Sequence, residues 1–149
     1  MTLDRTVLPP HVVGYADFFA AMTAETVPHL HELVTADVHF RDPFNDVHGA
    51  DRMMRIMAHM YETCDEVGFS TTGAVAGQDS AYLSWTFRFR PRRLRGPTWQ
   101  VDGVTELHFN GQGLVAAHLD YWDSGGQFYA RLPGLGWLVR RIGRRLQVA

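Results

Sequence analysis

The chain contains no lysine, so all fourteen of its basic residues are arginine, a pattern read as genome composition rather than mechanism. It contains a single cysteine, Cys64. A lone cysteine excludes an intrachain disulfide and a cysteine metal cluster, and a reducing, cytoplasmic setting is the simplest reading. No apolar run approaches the roughly 20 residues of a membrane span, so no membrane insertion is expected. The first residues carry Asp4 and Arg5 and lack the apolar core of a signal peptide. Excess charge of one sign is also missing. Sixteen acidic residues against fourteen arginines give a net charge of -2, which removes the electrostatic case for nucleic acid as a partner. There are no internal repeats and no low-complexity linkers.

A length of 149 residues, 46% hydrophobic and 20% charged, suits one domain with a substantial core. Residues 1–10, ending in Pro9-Pro10, read as a flexible lead-in. Val12, Tyr15, Phe18, Phe19 and Met22 recur at helical spacing over His11 to Met22. A second, short helix is expected over Thr23 to Val34 and a strand over Ala36 to Asp42. A third helix, Asp51 to Tyr61, carries Met53, Met54, Met57 and Met60. A strand over Glu66 to Ala76 precedes three more, Ala81 to Arg90, Thr98 to Phe109 and Leu114 to Asp123. The last two are joined by a turn of the Asn-Gly type at Asn110-Gly111-Gln112-Gly113. A helical stretch from Gln127 to Leu146, broken near Pro133-Gly134, closes the chain. This order predicts an α+β domain. Helices cover one face of a curved, antiparallel or mixed sheet that forms a cone, and its interior is a natural small-molecule pocket.

Phe40-Arg41-Asp42-Pro43-Phe44 places one carboxylate between two aromatics where a strand ends. Removal from water disfavours the charged form and raises a carboxyl pKa, which suits an acid or base working near neutral pH. The competing reading is an Asp that caps its own turn with a side-chain oxygen. Metal binding is not expected. His29 and His31 lie two apart on a predicted helix, where they do not share a face. No His-x3-His or Cys pair is present.

The run Leu33 to Pro43 and the turn Phe109 to Gly113, set in this element order, resemble the nuclear-transport-factor-2-like superfamily. Within it the chain is similar to the SnoaL-like group, relatives of ketosteroid isomerase, polyketide cyclases and limonene epoxide hydrolase. The resemblance spans residues 11–130 and leaves 131–149 as a C-terminal amphipathic helical extension. It implies the cone fold and a small apolar ligand or substrate. It also implies a homodimer through the convex sheet face, and chemistry that needs no cofactor. Asp42 matches the isomerase general base. The isomerase tyrosine donor falls on Phe18, and its second, protonated aspartate falls near Thr105. Phe cannot donate a hydrogen bond, and Thr is a less tunable donor than a carboxylic acid. Counting on from the turn, the resemblance places His118, Asp120 and Trp122 on the concave face, two apart and so pointing the same way on a strand. Asp42, Asp120 and His118 are therefore the catalytic candidates. Tyr15, Phe18, Phe40, Phe44, Met57, Trp85, Phe87, Trp99, Thr105 and Trp122 are the candidate ligand contacts.

Three functions fit these features. One is a cofactor-independent acid–base enzyme of the isomerase, cyclase, dehydratase or epoxide hydrolase type. The second is a non-catalytic binding protein for a small apolar ligand, and the third a dimeric interaction module. The C-terminal segment, with Leu135, Trp137, Leu138, Val139, Ile142 and Leu146 beside Arg140, Arg141, Arg144 and Arg145, reads as a basic amphipathic helix. Its apolar stripe can close the cone, pack on a partner subunit or touch an anionic membrane.

Overall fold

The computed structural model describes residues 7–148. Of the expected lead-in, residues 1–6 lie outside them, and helix α1 (Pro10–Ala21) already begins at Pro10. A proline in the first helical turn removes an amide that would have no partner there anyway. Val12, Tyr15 and Ala16 are buried, at spacings of three and one that keep them on one side of α1.

The expected second helix is instead a short 3-10 segment, Val27–Glu32. Two observations account for this. Thr26 Oγ1 accepts from the Thr23 amide at 2.8 Å and donates to the Thr23 carbonyl, so a hydroxyl competes for backbone groups that a helix would use. Pro28 then enters near the start of the segment. The chain turns into strand β1 (Val34–Arg41) two residues earlier than the sequence pattern suggests.

Asp42 lies just past β1. Its amide bonds the Asn45 carbonyl at 2.9 Å, and the chain reverses into a three-residue strand, β2 (Asp46–His48), too short to leave a pattern in the sequence. Helix α2 (Ala50–Thr63) follows. Strands β3 (Cys64–Ala76), β4 (Ser80–Pro91), β5 (Trp99–Phe109) and β6 (Val115–Tyr121) form an antiparallel meander. Strand β6 then pairs parallel with β1, so the sheet is mixed, in the order β2-β1-β6-β5-β4-β3.

The β5–β6 turn is not a two-residue Asn-Gly turn. Asn110 Oδ1 accepts from the Gln112 and Leu114 amides at 3.0 and 2.9 Å. Gly113, not Gly111, takes the left-handed conformation, with φ +77°. An Asx turn has replaced the backbone turn that Asn-Gly spacing suggests.

The core lies between one face of the sheet and helices α1 and α2. Tyr15, Leu30, Val38, Phe40, Met53 and Leu107 are among its fully buried side chains. After β6 come a single helical turn, α3 (Ser124–Gln127), a 3-10 turn (Tyr129–Arg131) and helix α4 (Leu135–Leu146). The break between the last two falls at Pro133-Gly134 as expected, with Gly134 at φ +76°. Among the described residues no helix is long and apolar enough to cross a membrane.

Candidate active site

Strand register assembles the site. Residues directly opposite one another on neighbouring strands share a face. Phe40 on β1 stands opposite His118 on β6, which stands opposite Leu107 on β5. Two residues along, Asp120 opposes Thr105, which opposes Leu83. The next row pairs Gly103 with Trp85, and the one after pairs Val101 with Phe87. Asp120, Thr105 and His118 are thus brought to one concave face by period-two alternation, and Tyr15 of α1 reaches them from the helical layer.

These side chains form one hydrogen-bonded chain. Tyr15 Oη lies 2.8 Å from His118 Nδ1 in a buried contact. His118 Nε2 lies 3.1 Å from Asp120 Oδ1. Thr105 Oγ1 donates to the same Asp120 Oδ1, and Trp85 Nε1 donates to Thr105 Oγ1 at 2.7 Å. Burial, and then the charge of Asp120, push the Tyr15 hydroxyl well above the ordinary tyrosine range, so Tyr15 stays protonated and donates. His118 Nδ1 is then the acceptor. This assigns the imidazole proton to Nε2, which points it at Asp120. Two donors, His118 Nε2 and Thr105 Oγ1, converge on one oxygen, Oδ1, and no hydrogen bond from the described residues reaches Oδ2.

Two neighbours hold this arrangement. Phe19 packs against the His118 ring at a centroid distance of 5.3 Å. Gly103 leaves room for Trp85: a Cβ there would lie 2.5 Å from the indole.

Asp42 is bound differently. Its Oδ1 accepts from the amides of Phe44 and Asn45 at 2.8 and 2.6 Å, and from Asn45 Nδ2 at 3.0 Å. The carboxylate therefore holds its own turn, as the capping reading anticipates. Burial nevertheless raises its pKa above the ordinary value. The amides and Asn45 oppose that shift, and the charge of Asp120 adds to it.

Both carboxylates line a cavity of about 250 Å3, walled by Phe40, Phe44, Trp85, Phe87, Trp122 and Met57 together with Phe69, Phe89 and Phe128. An inner chamber of about 50 Å3 holds Tyr15, Phe19, Thr105, His118 and Asp120. Outside, Asp42 and Asp120 also border an open groove with Arg41, Pro43, Tyr121 and Trp122. Asp120 thus touches inner chamber, main cavity and mouth.

Two expected ligand contacts fall elsewhere. Phe18 lines neither chamber; it packs edge-on against Phe19, which takes the inward position. Trp99 stands behind the wall, against Phe89 and Phe128 at 5.9 and 5.7 Å. The tyrosine donor that sequence correspondence assigns to position 18 and finds missing has a counterpart one helical turn earlier, at Tyr15. Phe19, Phe69, Phe89 and Phe128 are cavity residues that the sequence reading omits. For Phe89 the signal is present, since it has the same parity as Trp85 and Phe87 on β4. For Phe128 there is none, because it reaches the cavity only when the segment after β6 folds back. Thr105, and His118 through Nε2, direct their hydrogens to Asp120.

A one-sided sheet with helices over its concave face, and a carboxylate in an aromatic cavity, define a cone-shaped α+β fold. Residues 15–118 match the SnoaL-like domain, and the chain belongs to that family. No curated protein matches it by sequence. Similar solved structures include an LEH-like epoxide hydrolase of M. tuberculosis, 16% identical with a TM-score of 0.64, covering 88% of this chain and 93% of that one. A Catenulispora acidiphila protein with a ketosteroid isomerase-like fold, in complex with trimethylamine, is 15% identical with a TM-score of 0.68, covering 81% and 91%. An NTF2-like protein of Burkholderia pseudomallei is 14% identical with a TM-score of 0.69, covering 80% and 95%. At these identities the likeness is one of fold.

Proposed function

We propose that the chain is a cofactor-independent acid–base enzyme acting on a small, mostly apolar molecule that carries a carbonyl or epoxide oxygen. The observation that carries this reading is the convergence of His118 and Thr105 on Asp120 Oδ1, in a cavity otherwise walled by aromatic rings. Two donors hold one oxygen and fix the carboxylate's orientation, leaving the other oxygen to exchange a proton with a bound molecule. Asp120 is the proton-transferring group, while Tyr15 and His118 position it.

Asp42, whose burial favours the neutral form, is the second group. A carboxyl that favours its neutral form beside a second carboxyl can divide acid and base roles with it. Enolisation, dehydration and epoxide opening can all use such an acid–base pair, and the epoxide hydrolase among the structural neighbours makes ring opening a reaction to test first. Pairing of two copies through the convex sheet face, where Tyr82, Val104 and Tyr121 are exposed, belongs to the same proposal.

The test is turnover of a panel of cyclic enones and epoxides by the wild-type chain and by Asp120→Asn. Loss of a positioned acid–base group lowers rate by about 100- to 10,000-fold, and that loss is expected for Asp120→Asn with folding intact. A substrate turned over equally well by Asp120→Asn would remove Asp120 from the mechanism. A second reading, ligand binding without chemistry, is favoured by the engagement of Asp42 with its own turn. Tight binding of panel members without turnover would select it.

A further inference from the structure

Helix α4 does not close the cone. None of its residues lines the cavity or the inner chamber, and its neighbours are the 3-10 turn before it and α3. It is anchored at its start only. The Gly136 amide bonds the Leu132 carbonyl at 2.8 Å, and Arg140 donates to the Ala130 carbonyl. Beyond that anchor, Leu135, Leu138, Ile142 and Leu146 are 42%, 45%, 52% and 78% exposed. With Val139 they recur three and four apart and form one apolar stripe. A twelve-residue helix containing Gly136 and Gly143 is marginal on its own in water. A surface that buries the stripe would supply the missing stabilisation.

Charge identifies that surface. Arg140, Arg141, Arg144 and Arg145 flank the stripe or lie opposite it. Arg141 stacks over Trp137 at 5.5 Å, and Trp137 is 58% exposed on the arginine side. From Arg131 to the last residue the sequence has five of the fourteen arginines and none of the sixteen acids. Basic charge with no acidic residue near it in sequence thus lies beside this unpartnered apolar stripe. An apolar stripe with arginines along its border and on the opposite face is the make-up of a helix lying in an anionic lipid interface.

We propose that α4 docks the protein on the surface of an anionic bilayer, lying in the interface without spanning it. The position of the cavity gives the docking a use. Phe128, in the segment that leads into α4, walls the cavity, and Phe44 packs against both Phe128 and Tyr129. The segment that anchors the membrane helix therefore also forms the cavity's outer wall. Docking would hold the aromatic cavity beside the lipid phase, where apolar ligands concentrate.

The experiment is co-sedimentation of the full chain with phosphatidylcholine vesicles, with and without about one-third phosphatidylglycerol. Binding to the anionic vesicles that weakens with added salt is expected. Each membrane-adjacent arginine contributes roughly fivefold, so replacing Arg141, Arg144 and Arg145 by Gln, with the Arg140 anchor left in place, should weaken binding by about 100-fold. Leu138→Glu with Ile142→Glu should abolish it. All these side chains are exposed, so unchanged melting temperatures would show that each variant folds. Three results would overturn the proposal. They are no binding to anionic vesicles, equal binding to both vesicle types, and a dimer in solution that Leu138→Glu with Ile142→Glu dissociates, which would make a second copy the occupant of the stripe.

Discussion

Tyr15 and His118 meet at 2.8 Å although 103 residues separate them, and this contact sets the polarity of the whole site. Tyr15→Phe would keep the ring packing and leave His118 Nδ1 buried without a donor. A loss of about 1–3 kcal/mol is expected, read as a fall in melting temperature, together with slower turnover. The pH dependence separates this from simple packing damage. A tyrosine raised in the folded chain contributes stability that is present below the ordinary value of 10.0 and lost as pH rises through the folded value. The variant should therefore lose less stability than the wild type above about pH 10. Asp42 behaves analogously at acid pH. Its raised pKa means that the folded chain favours the neutral acid, so stability falls as pH rises from the ordinary value of 3.8 through the folded one. Asp42→Asn retains an oxygen for the Phe44 and Asn45 amides and should remove that pH dependence without loss at neutral pH. Asp42→Ala strands both amides and should cost about 1–2 kcal/mol. Melting curves of the two variants across pH 3–8 check this pair of outcomes.

Strand β5 makes the site geometrically possible. Gly103 faces Trp85 across the β4–β5 ladder and gives the indole space to reach Thr105. Gly103→Ala would drive a methyl into that ring. Overpacking of this kind costs about 1–3 kcal/mol, and the Trp85 indole N–H resonance should shift as its bond to Thr105 breaks. Gly111→Ala, at a residue with ordinary φ and open space around it, should stay within about 0.5 kcal/mol of the wild type and serves as the control. The elements also show what is legible in sequence. Strand alternation puts His118 and Asp120 on one face, because a period of two leaves only two choices, and the family resemblance supplies both the choice of the concave face and the correspondence at Thr105. Helical periodicity is less decisive. Phe18 and Phe19 both suit an apolar face three or four residues from Tyr15, and only packing against His118 and Phe69 selects Phe19. The 3-10 segment at Val27–Glu32 escapes the pattern because threonine hydroxyls and a proline, rather than hydrophobic spacing, determine it.

In the whole molecule, two carboxylates distant in sequence border one aromatic cavity that no arginine among the described residues lines. The family resemblance anticipates the fold from the run ending at Asp42-Pro43. It does not anticipate that Asp42 would be tied to its own turn while Asp120 collects the donors, since that division depends on side-chain contacts between α1, β5 and β6. The helix beyond Gly134 stands apart from this core, its apolar stripe uncovered. The claim on which the proposed chemistry rests is that Asp42 and Asp120 feel each other's charge across the cavity. Its most direct test is a carboxyl 13C NMR titration of Asp42 in the wild-type chain and in Asp120→Asn. Asp42 should titrate above 3.8 in the wild type and move down in Asp120→Asn, remaining raised because its burial persists. An Asp42 that titrates at the ordinary value, or that does not move when Asp120 is neutralised, would contradict a shared acid–base cavity.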